Sequence, residues 1–205
     1  MIIIGLCGKK GAGKNHVAEL ARAICAPSVV ETAALADPIK EMAINLLGLS
    51  REDAYGSDKE KNRPSPYHWD AMPDFVRNKN PNKSGLMTVR EVLQVLGTEL
   101  FRDVWDPEIW SKALRRKVLQ SKAEVFIIAD VRFPDEVKAI REWGGAIWLV
   151  KGSRSVEDVK DGHGSENGLA HASFDHVIDN DWPMVTPEGL RKQVAEAMAR
   201  PTIPG

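Results

Sequence analysis

Little in this chain could be held by covalent cross-links: its 205 residues include only two cysteines, Cys7 and Cys25. The two lack metal-ligand spacing and read as buried thiols of a reducing compartment, which sets aside a disulfide scaffold and a zinc module. Neither sign of charge is in excess. Against 29 acidic residues stand 28 Lys and Arg, and the net charge of −1 argues against a nucleic-acid scaffold or a binder of acidic membranes. No apolar run reaches the length of a transmembrane helix. No basic region precedes the short apolar run at the N-terminus, so a signal peptide is not expected and a cytoplasmic protein is. Internal repeats are absent. Hydrophobic residues, at 43%, suffice for a real core, and the length fits one large domain or a domain with an insert.

Apolar periodicity alternates between strand and helix along the chain. Residues 2–7 read as a buried strand and 14–25 as a helix. Ser28-Val29-Val30-Glu31-Thr32 is a weaker second strand. Asp37-Pro38 opens a helix through about Leu47, with Asp37 as N-cap and Pro38 at the first helical position. Residues 51–84 are rich in Asp, Lys, Asn, Pro and Ser and show little periodicity. Order resumes at Thr88-Val89-Arg90-Glu91, a capping box, whose helix carries Val89, Val92, Leu93, Leu96 and Leu100 on one face. Asp106-Pro107 caps a further helix. Val125 to Ala129 is a third strand, residues 134–143 are helical, and Ala146 to Val150 is a fourth strand. Val177-Ile178 is a short fifth strand, and Thr186-Pro187 caps a last helix. The tail from Pro201 is expected to be disordered. Strands separated by helices predict an α/β fold, a parallel sheet with helices on both faces, which binds ligands at the carboxyl ends of its strands.

At the first of those ends stands Gly8-Lys9-Lys10-Gly11-Ala12-Gly13-Lys14, the G-x-x-x-x-G-K spacing of a phosphate-binding loop. Glycines let the backbone curl so that its N–H groups face phosphate oxygens, and the helix that follows adds its positive end. Lys14 reaches the β and γ phosphates as a point charge. The alternative is a glycine-rich strand-to-helix turn with a chance lysine; the strand before and the helix after favour the phosphate loop. The residue after the lysine is usually Ser or Thr, a Mg²⁺ ligand. Here it is Asn15, a neutral hard donor able to hold the ion directly or through water. Asp130 ends the third strand, where an acidic residue holds Mg²⁺ or its waters. Its alternatives are a cap for the helix at Pro134 or a partner for Arg132.

The chain resembles the phage deoxynucleoside monophosphate kinases. The matching residues run in order through most of the sequence: 6–14, Leu35-Ala36-Asp37-Pro38-Ile39-Lys40, Val89-Arg90, Leu93-Gln94-Val95-Leu96-Gly97-Thr98-Glu99-Leu100, Trp110, Asp130-Val131-Arg132, Gly144-Gly145-Ala146, His163 with Ser165-Glu166, and Gly168-Leu169. The phosphate loop is common to many families; the L-x-Q-x-L-G-T-E run followed by D-V-R is far more particular. The resemblance implies transfer of the γ-phosphoryl of ATP to a deoxynucleoside monophosphate. It implies a three-layer P-loop kinase fold in one domain over 1–205, with a monophosphate-binding insert at 50–105 and a lid at 151–170. For a phage protein the compartment is the host cytoplasm. The family pattern often has Asp then Thr after the loop lysine, where this chain has Asn15 and His16. Segment 51–84 matches nothing in the pattern and leaves the accepted base open.

Phosphoryl transfer is positioning plus charge neutralisation, so cations must converge on two anionic substrates. The residues expected at ATP are Gly8, Lys9, Gly11, Ala12, Gly13, Lys14, Asn15 and Arg154, with Asn15 and Asp130 at Mg²⁺. Those expected at the acceptor are Asp37, Lys40, Arg90, Gln94, Arg102 and Arg132, because guanidinium forks match phosphate oxygens and Gln94 is placed to bond a base. Lys14, Asp130 and Arg132 form the catalytic set. For any one of the arginines, and for Arg90 especially, a solvated or salt-bridged helix residue is a good alternative reading; for Gln94 the polar face of an amphipathic helix is an equal one. Tyr67, Trp69 and Phe75 are candidates to stack on a base, or a satellite core under a long loop. Glycines 152, 162 and 164 would let a lid hinge and exclude water. The expected partners are small nucleotides, not nucleic acid or membrane, and a homodimer stays open. Rival functions are another P-loop small-molecule kinase, such as dephospho-coenzyme A kinase, and an ATP-binding switch without catalysis.

Overall fold

The computed structural model describes residues 1–9, 11–152, 169, 173–181 and 183–201. They form two compact units, Met1–Leu35 with Arg115–Gly205, and Ala36–Leu114.

The first unit is built on strand β1 (Ile2–Cys7), whose residues after Ile2 are all buried, the near-continuous apolar run of a strand covered on both faces. Around it lie β2 (Val30–Ala33), β5 (Val125–Ile128), β6 (Ala146–Lys151) and β7 (His176–Asp179), in the order β2-β5-β1-β6-β7. Every pairing is parallel, with Ile4 opposite Ile127 on one side and Ala146 on the other. Alternation sorts the side chains into two layers. Ile4, Leu6, Ile127, Trp148 and Ile178 pack with Val17, Ala18 and Ala21 of α1 (Lys14–Cys25) and with Leu190 and Val194 of α9 (Pro187–Ala199). On the opposite face Gly5 admits Ile140 of α8 (Pro134–Glu142): a Cβ there would lie 3.0 Å from the Ile140 methyl. The expected three-layer α/β architecture is therefore present. The chain leaves β1 for β2, returns through β5, and crosses to β6 and β7, so the order reverses at β1. Its carboxyl end is the topological switch point, where open sheets bind ligands.

The second unit contains α2 (Asp37–Leu47), α3 (Arg51–Tyr55), α4 (Asp58–Lys61), β3 (Pro64–His68), α5 (Asp74–Lys79), β4 (Leu86–Thr88) and α6 (Val89–Gln94). A π-helical segment, Val95–Arg102, follows, and then comes α7 (Ile109–Gln120), whose residues up to Leu114 belong to this unit and the rest to the first. The core of the second unit gathers Ala43, Leu49, Trp69, Val76, Met87, Val89, Val92, Val95 and Leu96.

Segment 51–84 is more ordered than its composition suggests. Ser50 and Ser57 cap α3 and α4, the latter through a full capping box with Glu60. β3 pairs antiparallel with β4 despite two prolines, which an isolated two-stranded ladder tolerates because each strand keeps a free edge. The buried Ser65 hydroxyl donates to the Met87 carbonyl at 2.8 Å. Trp69 is core, 4% exposed, whereas Phe75 stays 42% exposed. A second correction concerns Asp37: Ala36 is the N-cap of α2, and Asp37 is its first helical residue. A third is the π-helical winding, where Asp103 N–H reaches back five residues to the Thr98 carbonyl. The capping boxes and caps read at Thr88 and Thr186 are present as expected.

Candidate functional site: a phosphate loop and a separate polar group

Three glycines shape the loop after β1. Gly8, Gly11 and Gly13 have φ of 145°, 81° and 91°, a region closed to most side chains. Space is as restrictive as conformation. A Cβ on Gly8 would lie 2.3 Å from the Val150 carbonyl oxygen, and one on Gly13 would lie 2.1 Å from Asn180 Nδ2. The loop is thus seated against the ends of β6 and β7. Asn180 donates its carboxamide N–H to the Ala12 carbonyl at 2.9 Å, and its own backbone N–H to the Lys151 carbonyl at 2.7 Å.

Inside the curl, the Lys14 ammonium donates to the carbonyls of Gly8 and Lys9 at 2.6 and 3.0 Å. Those bonds bend the lysine back over its own loop, the position from which a flexible stem can pass to a phosphate. Among the described residues, the backbone N–H groups of Gly11, Gly13 and Asn15 have no hydrogen-bond partner. Donors left open at a helix start suit an anion. The carboxamide of Asn15 is exposed beside them.

Beside the loop runs the end of β5. Val131 N–H donates to the Leu6 carbonyl at 3.1 Å, which draws Asp130-Val131-Arg132 alongside the last residues of β1. Asp130 Oδ1 accepts the Leu35 N–H at 2.8 Å. The cap of α8 falls instead to Glu136, whose carboxylate accepts the N–H groups of Arg132 and Phe133 at 2.7 and 3.0 Å. Arg132 itself is exposed, and its guanidinium has no ion-pair partner among the described residues. Underneath, the Cys7 thiol is pushed from 9.0 up to about 12, first by burial and then by the Glu136 charge, with Lys14 and Arg141 pulling the other way. It is a packing group, not a nucleophile.

The Asp130 carboxylate after β5 and the Asn15 carboxamide at the start of α1 are hard oxygen donors. Mg²⁺ takes one or two such protein ligands and completes its shell with phosphate oxygens and water. The residues present therefore fit that ion. Among the described residues no cluster of three or more His, Cys, Asp or Glu exists that could hold a metal by itself.

The remaining expected residues lie in the second unit. Lys40 pairs with Asp37 one turn back at 3.3 Å, and its ammonium sits 4.5 Å from the centre of the Tyr55 ring. Tyr55 donates its hydroxyl to Glu41 at 2.7 Å, and Arg51 grips the same carboxylate through two bonds. Burial and the Glu41 bond hold the Tyr55 phenol well above its usual range. Arg90 is engaged by Asn62 at 3.1 Å and by Asp58, which ties α6 to the end of α4. Gln94 is half-buried, and its carboxamide has no hydrogen bond among the described residues. Arg102 closes the π-helical segment. Glu99, on the same segment, is 7% exposed; among the described residues one oxygen meets only Asn80, at 3.4 Å, and the other has no partner. Arg154 and most of the 151–170 stretch lie outside the described residues.

Sequence reasoning missed Asn180, Gly152 and Tyr55. An Asn after a short strand carries no spacing signal. Gly152 stood out only for hinge freedom, whereas a Cβ there would press the Ala12 carbonyl at 3.0 Å. Tyr55 lay in a stretch that offered no periodicity.

Comparison with known proteins converges on one reading. The family model for deoxynucleotide monophosphate kinase matches residues 50–185. A protein of Acanthamoeba polyphaga mimivirus named as a putative deoxynucleotide monophosphate kinase is 30% identical over 196 residues, covering 88% of this chain and 89% of that protein. The deoxynucleoside-5'-monophosphate kinase of Escherichia phage T5 is 25% identical over 225 residues, covering 87% and 89%. Among solved structures, TT1252 from Thermus thermophilus covers 99% of this chain and 98% of its own at 17% identity, with a TM-score of 0.45, too low to add to the assignment. With a phosphate loop at the switch point of a parallel three-layer sheet, the chain has the P-loop kinase fold, and it is an enzyme belonging to the deoxynucleotide monophosphate kinase family.

Proposed function

We propose that this protein transfers the γ-phosphoryl group of ATP to a deoxynucleoside monophosphate, releasing ADP and the deoxynucleoside diphosphate. An oxygen of the acceptor phosphate forms the new bond to the γ phosphorus, and the bond from that phosphorus to the β,γ-bridging oxygen breaks, its electron pair leaving with ADP. The observation that carries the reading is the loop itself: three left-handed glycines, open N–H donors and Lys14 in one curl.

The first unit holds the donor. Loop N–H groups and Lys14 take the β and γ phosphates, and Asn15 and Asp130 hold Mg²⁺. When bound, the ion neutralises charge on the phosphate oxygens. Arg132, exposed and without an ion-pair partner among the described residues, is directed to the acceptor phosphate, where its planar fork matches two oxygens. The second unit is the acceptor module and extends the 50–105 insert to Ala36–Leu114. Lys40, steadied by Asp37 and the Tyr55 ring, and Arg102 are its cations. Gln94, half-buried and unbonded among the described residues, reads the base. Arg90, held by Asp58 and Asn62, orders the module. The residues 151–170 serve as a lid that keeps water, the competing acceptor, from the γ-phosphate.

The test is ADP release from Mg·ATP, measured alone and with each of the four deoxynucleoside monophosphates and their ribo counterparts. Release that requires a deoxynucleoside monophosphate, with the diphosphate as second product, is expected. Steady hydrolysis that no acceptor accelerates would overturn the reading.

A further inference from the structure

The Ala12-Gly13 peptide is held at its carbonyl and open at its N–H. The Ala12 carbonyl accepts the Asn180 carboxamide N–H at 2.9 Å, and the Gly13 N–H, across the same peptide bond, has no partner among the described residues. A trans peptide is planar, so its C=O and N–H point in opposite directions. Whatever fixes the carbonyl outward fixes the N–H inward.

We infer that Asn180 is a positioning residue for catalysis: by holding the Ala12 carbonyl against the end of β7, it aims the Gly13 N–H into the curl where the nucleotide phosphates bind.

Three further features support this. Gly13 has φ of 91°, a conformation in which a peptide can flip at small cost unless something outside the loop holds it. A Cβ on Gly13 would lie 2.1 Å from Asn180 Nδ2, so the glycine is matched to its neighbour as well as to its own dihedral. Asn180 is itself fixed, its backbone N–H bonded to the Lys151 carbonyl at 2.7 Å, and Gly152 leaves room for the Ala12 carbonyl at 3.0 Å from where a Cβ would stand. The brace thus spans two strand ends. Removing it leaves the Ala12-Gly13 peptide free to rotate, and a carbonyl turned inward would repel phosphate oxygen. Donors aimed before the charge arrives are the ones that act at full strength.

The inference rests on the proposed reading of the loop as an ATP-phosphate site. The test uses the full chain with Asn180→Ala and the isosteric Asn180→Asp, which replaces the donor by an anion facing a carbonyl. Binding of Mg·ATP, Mg·ADP and adenosine is measured by calorimetry, with KM for the monophosphate acceptor, circular dichroism and melting temperature alongside. Both variants should lose about tenfold in affinity for ATP and ADP, with Asn180→Asp the worse, while adenosine binding and acceptor KM stay within about twofold. A structural role alone would lower the melting temperature without that dependence on phosphate. Unchanged ATP affinity in a folded variant, or an equal loss for adenosine, would overturn the role of Asn180. If Asn180→Ala does not fold, Asn180→Asp carries the test. A wild-type protein that binds no ATP would instead remove the phosphate-loop reading itself.

Discussion

Lys14 does two jobs with one charge. Its ammonium donates to two carbonyls of its own loop, and in the proposed reaction the same charge serves phosphate oxygens. It contributes nothing to the apolar core, so Lys14→Ala should leave circular dichroism intact and reduce turnover by about 10²–10³-fold, the scale for losing one oriented charge at a reacting phosphate. Turnover within threefold of wild type would remove the lysine from the reaction. Asp130 is bound to the Leu35 N–H, so part of its carboxylate supports β5. If Asn15 and Asp130 hold Mg²⁺ as proposed, the neutral carboxamide is the weaker ligand and the burden of the ion falls on Asp130. Asp130→Asn should therefore raise the Mg²⁺ concentration for half-maximal rate about tenfold or more, with partial rescue by Mn²⁺. An unchanged Mg²⁺ titration would confine Asp130 to structure. The Cys7 thiol gives a pH prediction. Its folded value near 12 lies above the ordinary 9.0, so the folded state keeps the proton more tightly than the unfolded chain. That contribution to stability is complete below pH 9 and is lost as pH rises toward 12. Native protein treated with iodoacetamide at pH 8.5 should leave Cys7 unalkylated, whereas Cys25, only half-buried, reacts; early modification of Cys7 would contradict its burial.

Among the elements, the strand-turn-helix at the N-terminus was legible because three signals agreed: an apolar run, glycine and lysine spacing, and helical periodicity. β5, β6, α8 and α9 were legible for the same reason, with a cap or an apolar run marking each end. The unread elements are those in which long-range partners decide. β3 carries two prolines and becomes a strand only because β4 lies beside it. α3 and α4 are too short for periodicity, and their serine caps and ion pairs hold them. The π-helical winding leaves no trace in spacing, since its apolar residues also fit an α-helix. In the phosphate loop, element geometry yields a prediction that sequence spacing alone does not. Gly8→Ala meets both a φ of 145° and a backbone oxygen 2.3 Å from the new Cβ, and a strand end cannot give way as a side chain would. The variant should lower the melting temperature, with about 2 kcal/mol or more of destabilisation, and lose ATP binding as well. A folded Gly8→Ala with normal ATP affinity would show that β6 yields at Val150.

For the whole molecule, the resemblance implied an insert at 50–105 holding Arg90, Gln94 and Arg102, whereas the second unit begins at Ala36 and takes in Asp37 and Lys40 as well. Gly8 to Asn15, Asp130 and Arg132 fall in the first unit; Asp37, Lys40, Arg90, Gln94 and Arg102 fall in the second. The boundary at Ala36 cuts between β2 and α2, inside what reads along the chain as one continuous alternation, and no linker composition marks it. What separates the units physically is their cores. Ile4, Ile127 and Trp148 belong to one, and Val76, Met87 and Leu96 to the other. Each substrate should therefore quiet its own unit. Ligand that binds only the native state raises the cost of opening, by about 2.7 kcal/mol at a hundredfold excess over Kd, and local opening is what amide exchange reports. Hydrogen exchange with Mg·ADP should slow amides of residues 8–9, 11–17, 130 and 178–181, while those of 36–114 change little. A deoxynucleoside monophosphate alone should slow amides around Lys40, Gln94 and the π-helical segment, leaving residues 8–17 near their free rate. Protection of the phosphate loop by the monophosphate and of 36–114 by ADP would reverse the assignment of donor and acceptor.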